Sequence, residues 1–169
     1  MTVPLAELFS QYHEPLVRML YRRTGDRDRA EEIAQEVFAR AVAAPPRNPR
    51  PWLFAVALNL VREEARTAAR RDRRLVLFRA EQTEHASRPD EELDRSERIA
   101  RVRAALDALS ERDREALLLK AEGFNYDEIA ATLGLARGAV GTTLARARKK
   151  LVEAFRVRAE GEEKRHAAS

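Results

Sequence analysis

A chain of 169 residues with 36% charged and 6% aromatic side chains, 6 Gly and 7 Pro has room for one ordinary domain or two small helical ones. Its lack of Cys excludes disulfides and thiolate metal sites and suits a reducing cytosol. The formal net charge is only +4, and the longest apolar run, Trp52 to Leu58, falls far short of the ~20 residues a membrane span takes. Abundant Ala, Leu, Glu and Arg, with no run alternating apolar and polar residues, predict an all-α protein.

The first helix is predicted from Leu5, Leu8, Phe9, Tyr12, Leu16, Met19 and Leu20, with a break or kink near His13 to Pro15. It ends at Gly25, suited to a left-handed position, and Asp26 is placed to cap the second. That helix turns Ala30, Ile33, Ala34, Val37, Phe38 and Ala41 inward and stops before Pro45-Pro46. A third, starting around Pro51, buries Leu53, Val56, Ala57, Leu60 and Val61. Steps of 3, 4, 4 and 3 put Asn59, Arg62, Arg66, Arg70 and Arg73 together on its opposite side. These helices form a first domain, 1–74.

Residues 75–92 lose the period and are expected to be an acidic linker, with "LVLF" as an apolar exception. A second domain, 93–160, opens with a stripe of Ile99, Val102, Ala105, Leu106 and Leu109. Ser110 with Asp113, and Asn125 with Glu128, carry capping-box spacing, and Gly134 closes the short helix between. The last helix buries Val140, Leu144, Ala147, Leu151 and Phe155, and 161–169 is read as a disordered tail.

Charge is segregated. Seven Arg face three acids from Arg62 to Arg79, six acids face one Arg from Glu81 to Asp94, and six bases face one Glu from Arg146 to Arg158. Two basic regions separated by an acidic one suggest two polyanion-binding modules on a tether. No catalytic motif, phosphate loop or metal-ligand spacing occurs, so neither an enzyme nor a cofactor or metal is expected. The carboxylates of the amphipathic helices are expected to face solvent. No basic stretch precedes a long apolar run at the start, so no signal peptide is read and a cytoplasmic location is expected.

What the residues do support is a helix-turn-helix. The helix Tyr126–Leu133, a turn at Gly134–Leu135 and a helix from Arg137 share the apolar face Ile129, Leu133, Val140 and Leu144. The second helix could then enter a major groove while Arg146, Lys149 and Lys150 neutralise phosphates.

The stretch "LSERDREALLLKAEGFNYDEIAATLGLARGAVGTTLARARKKL" resembles domain four of the extracytoplasmic-function (ECF) group of bacterial sigma factors. "GDRDRAEEIAQEVFARA" and "PWLFAVALNLVREEARTAARR" are similar to two segments of that family's domain two, and all three occur in the family's order. The resemblance implies a promoter-specificity subunit of RNA polymerase. Core RNA polymerase would be its partner through clamp coiled coil and flap, promoter DNA its ligand, and an anti-sigma factor a further partner common in the family. Glu32, Gln35, Glu36 and Arg40 would face the clamp. Asn59 would hold an unstacked base of the −10 element, with Arg62, Arg66 and Arg70 tracking phosphates. Arg137, Thr142, Thr143, Arg146 and Lys149 would meet the −35 element.

The chain departs from the pattern at Glu32, usually Asp, and in the reading helix. There Ala136, Ala139, Gly141 and Thr143 replace the usual Ser, Thr, Lys and Arg, changes expected on its exposed face. Two alternatives stay open: a free-standing helix-turn-helix regulator, and a sigma-like interaction protein that no longer recognises promoters.

Overall fold

The computed structural model describes residues 3–75 and 90–168, and every described element is helical. Helix α1 (Leu5–Thr24) runs unbroken through Pro15, against the expected break. A proline inside a helix costs about 3 kcal/mol. Here Leu8, Leu16, Val17, Met19 and Leu20 are all buried, and each contributes roughly 1.5–3 kcal/mol, so packing wins. Gly25, at φ 73°, then ends the helix in the left-handed conformation, and its N–H donates to the Tyr21 carbonyl. Asp26 accepts from the Arg29 N–H to start α2 (Arg27–Ala43), whose six inward residues are those predicted.

Helix α3 (Pro49–Leu75) begins two residues before the expected Pro51. Leu53, Ala57 and Val61 are buried as predicted, and so are Phe54 and Leu58, which the predicted stripe omits. The widened stripe means that α3 is covered from two sides. One cover is α1 and α2; the other comes from beyond the linker.

That linker, with "LVLF" from Val76 onward, falls outside the described residues up to α4 (Asp90–Asp107), which starts three residues before Leu93. Ser110 accepts from the Asp113 N–H to begin α5 (Glu111–Ala121). Asn125 and Glu128 form a reciprocal capping box on α6 (Tyr126–Leu133), and Gly134, φ 64°, makes the turn. Helix α7 (Arg137–Ala167) extends through most of the segment read as a disordered tail. Lys, Glu and Ala are good helix formers, and Glu162 pairs with Arg101 of α4 at 3.1 Å, tying the extension down.

The two halves are not separate bodies. One cluster of buried apolar residues runs from Leu8 through Phe54 to Phe124 and Leu144. Phe124, fully buried in the loop between α5 and α6, meets Phe54 of α3 edge-on with centroids 4.7 Å apart. The Arg50 guanidinium lies 4.2 Å from the centroid of that ring. A buried Phe contributes roughly 2–3 kcal/mol by burial alone, and this one spends it across the junction.

Candidate nucleic-acid interface

Along α3 the buried side fixes what the other side can offer. Asn59, Arg66 and Arg70 are exposed and share one helical phase; Leu58 and Val61 are buried near Asn59, and beyond Val61 no described residue of α3 is buried. Trp52 is half-buried and packs against the core. Arg62 belongs to the same row but is turned across the junction to α5. Its Nε donates to Glu115 Oε1 at 2.7 Å, a second donation goes from Nη2 to Oε2, and Glu111 lies 3.6 Å away. The hydrogen bonds to Glu115 hold the Arg62 guanidinium above its ordinary range, outweighing burial. Arg62 Nη1 also donates to Asn59 Oδ1 at 3.0 Å.

Glu32, Gln35, Glu36 and Arg40 are all exposed on α2. Arg29 bridges Glu32 to Glu64 of α3, and Arg40 donates to Glu36 at 2.8 Å. The result is a polar surface backed by Ile33, Val37 and Phe38.

In the helix-turn-helix, Val140 and Leu144 of α7 and Ile129 of α6 are fully buried, so α6 props α7 as expected. Thr142 is exposed, and so are Arg137, Arg146 and Lys149. Thr143 is not. It is 4% exposed, and its hydroxyl donates to the Ala139 carbonyl at 2.8 Å, which corrects its placement on a reading surface. The reason is angular: Thr143 sits beside Leu144 and between Val140 and Ala147 on the buried arc. The reading helix is small elsewhere too. Beside Gly138 a Cβ would meet nothing within 4 Å, and beside Gly141 only the Tyr126 ring at 3.6 Å, an ordinary contact.

Arg146 is committed as well as exposed. It donates to Asp113 at 2.6 Å from Nη2, and Lys150 reaches the same carboxylate at 3.4 Å. Asp113 is fully buried on α5, contrary to the expectation that helix carboxylates face solvent. The Arg146 hydrogen bond, with help from Ser110 and Lys150, holds its carboxyl below the usual aspartate range. A lowered folded-state value stabilises the protein fully above about pH 3.9, the ordinary aspartate value, and less as pH falls through the lower one. The stability gap between wild type and Asp113→Asn, read by urea unfolding, should therefore narrow from about pH 6 to about pH 3. A gap independent of pH contradicts this role.

Glu115, 2% exposed, and Glu122, with a side chain 1% exposed, are further departures from solvent-facing carboxylates. The signal for α5 lay in its run Leu117, Leu118 and Leu119, too wide for a helix covered on one face. Among the described residues no group of three or more His, Cys, Asp or Glu is placed to hold a metal ion, and no helix is long and apolar enough to cross a membrane.

Residues 8–71 match the Sigma-70 region 2 family model, and residues 99–151 match Sigma-70, region 4. The ECF RNA polymerase sigma factor EcfG of Rhodopseudomonas palustris (strain TIE-1) is 35% identical over 141 residues, 76% of this chain and 72% of that protein. The chain belongs to the ECF sigma factors. It is thus a sigma factor that directs RNA polymerase to promoters, and its relatives are regulatory proteins. Two solved structures share the fold. The sigma factor RpoE of Bartonella quintana, in complex with the anti-sigma factor NepR, superposes with TM-score 0.66 at 25% identity over 90% of this chain and 96% of that one. CnrH, in complex with the cytosolic domain of CnrY, gives 0.66 at 26% identity over 90% and 88%.

Proposed function

We propose that this sigma factor divides its work between residues 1–74, acting as domain two, and 93–160, acting as domain four. In domain two, Glu32, Gln35, Glu36 and Arg40 dock on the clamp coiled coil of core polymerase. Asn59 takes an unstacked base of the −10 element, because an amide can both donate to and accept from a base edge. Arg66 and Arg70, joined by Arg62, follow the phosphates. In domain four, Arg137, Thr142, Arg146 and Lys149 meet the −35 element, mainly through phosphates, and the polymerase flap lies beside it. The chain has no catalytic activity of its own and works in the cytoplasm. By analogy with RpoE, whose structure holds the anti-sigma factor NepR, an anti-sigma factor is a second protein partner. The observation carrying this reading is the exposed row of Asn59, Arg66 and Arg70 on a helix anchored by the buried Leu53, Ala57 and Val61.

Run-off transcription with core polymerase on a library of host promoter fragments tests it. Specific start sites are expected, and Asn59→Ala should lower initiation about tenfold or more, since one good base contact is worth ~1–3 kcal/mol. Initiation unchanged by Asn59→Ala refutes the strand-reading role. The small side chains at Gly138, Ala139 and Gly141 favour a second reading, an interaction protein that binds polymerase without promoter recognition. Binding to core polymerase with no initiation at any fragment is its signature.

A further inference from the structure

Of the residues assigned to the −35 element, Arg146 alone is tied to a buried acid among the described residues. That acid, Asp113 of α5, donates its backbone N–H to Ser110 Oγ at 3.2 Å, so the cap that starts the helix also fixes the root of the carboxylate. The Asp113 side chain is 1% exposed and that of Arg146 51%, a fixed point inside with a cation outside. Arg146 Nε lies 3.2 Å from both carboxylate oxygens, and Nη2 donates to Oδ1 at 2.6 Å. Lys150, one turn further along α7, reaches Oδ2 at 3.4 Å. Arg137 differs: it pairs with Asp127, and both side chains are 70% exposed, so solvent screens that contact.

Geometry decides which part of Arg146 is left for DNA. A guanidinium carries five N–H donors in one plane. Asp113 takes the Nε–Nη2 edge, which leaves Nη1 and the outer Nη2 hydrogen directed away from the carboxylate. Charge favours the same use. Two cations share one acid, so the cluster stays net positive while the acid itself is hidden. Position selects the target. Arg146 stands about two and a half turns beyond Arg137, whereas the first residues of a reading helix meet base edges. Its target is therefore a phosphate, and a phosphate contact sets the register of the helix on the duplex.

We propose that Asp113 is a positioning residue for DNA: from beneath α7 it holds Arg146 in the orientation that grips a phosphate of the −35 duplex. The proposal rests on the assignment of Arg146 to that element. An arginine loose in solvent loses its rotamer freedom on binding; here the ordering is done when the protein folds. The composition of α7 raises the importance of this one contact. Between Arg137 and Arg146 the helix carries no long polar side chain, so a single fixed arginine seats it.

The test uses the full chain assembled with core polymerase and two duplex fragments of a promoter recovered by run-off transcription. One fragment runs upstream past −35, and the other stops just upstream of the −10 element. Asp113→Asn removes a negative charge, so charge alone would tighten DNA binding. Positioning predicts the reverse: about tenfold weaker binding of the long fragment, the loss of one charge-assisted contact, with the short fragment unaffected. The slope of log affinity against log salt should become shallower by about 0.9 on the long fragment. Arg146→Gln should do the same, and the two changes together should cost no more than either alone. Circular dichroism and binding to core polymerase check that each variant folds. Should Asp113→Asn not fold, Arg146→Lys takes its place, because it keeps the charge and the buried acid but cannot form the fork; it should weaken the long fragment several-fold. Tighter or unchanged binding by the variant overturns the proposal, and so do additive effects of Asp113→Asn and Arg146→Gln. If Arg146→Gln weakens binding and Asp113→Asn does not, positioning falls and the −35 assignment stands. If Arg146→Gln changes nothing, both fall.

Discussion

Truncation of Phe124 to alanine is expected to destabilise the protein by about 3–5 kcal/mol and to split one unfolding transition into two. The ring is fully buried, edge-on to Phe54 and beneath the Arg50 guanidinium, so alanine removes the apolar joint and leaves a cavity on the junction. Neighbours can close that cavity only by moving the halves relative to each other. The surviving ion pairs cannot replace the ring. Arg18 and Arg22 are nearly half exposed, and pairs of that kind are screened by solvent. Differential scanning calorimetry checks the prediction: wild type should melt as one unit, and Phe124→Ala as two, the first of them earlier. A single transition shifted by less than about 1 kcal/mol would show that the halves are coupled elsewhere.

Leu144→Ala is expected to cost about 2–5 kcal/mol, confined to the second half. Leu144 is fully buried on α7, which packs against α5 and α6, in the same apolar cluster as Val140 and Ile129. Helix α6 is only 8 residues long and depends on this packing, because a helix of two turns has little stability of its own. Its reciprocal cap adds roughly 1 kcal/mol, too little to hold it without the leucine. Urea unfolding followed by helical ellipticity gives the cost, and run-off transcription the consequence. Promoters that depend on a −35 element should be lost first. A full-strength signal from a variant with a lowered urea midpoint separates stability from recognition.

Much of this architecture is legible in the chain because local rules agree with the fold. The inward faces of α2 and α6 follow from spacing, and Asp26, Asn125, Gly25 and Gly134 mark their ends by conformational preference alone. Pro15 misleads because its cost is local while the compensation, five buried side chains on α1, is tertiary. Thr143 misleads for another reason: a family pattern assigns roles by position, whereas burial depends on the angle at which α7 meets α5 and α6. The junction is the least legible part. Glu115, Glu122 and Arg62 look like ordinary helix-surface charges, and nothing near them in sequence names partners that lie 53, 100 and 104 residues away. The exposure of Asn59, Arg66 and Arg70 could be read from helical phase; that Arg62 is already engaged could not.

The two glycines of α7 carry a consequence for how such a protein acquires new targets. Neither Gly138 nor Gly141 has a positive φ, and a Cβ at Gly138 would meet nothing within 4 Å and one at Gly141 only the Tyr126 ring at ordinary contact distance. The framework beneath them, Val140, Leu144 and Ala147, is complete without them. Vocabulary and grammar are thus separable here. The helix holds its place through its buried residues, and the two glycine positions are blank, open to a first substitution without redrafting the fold.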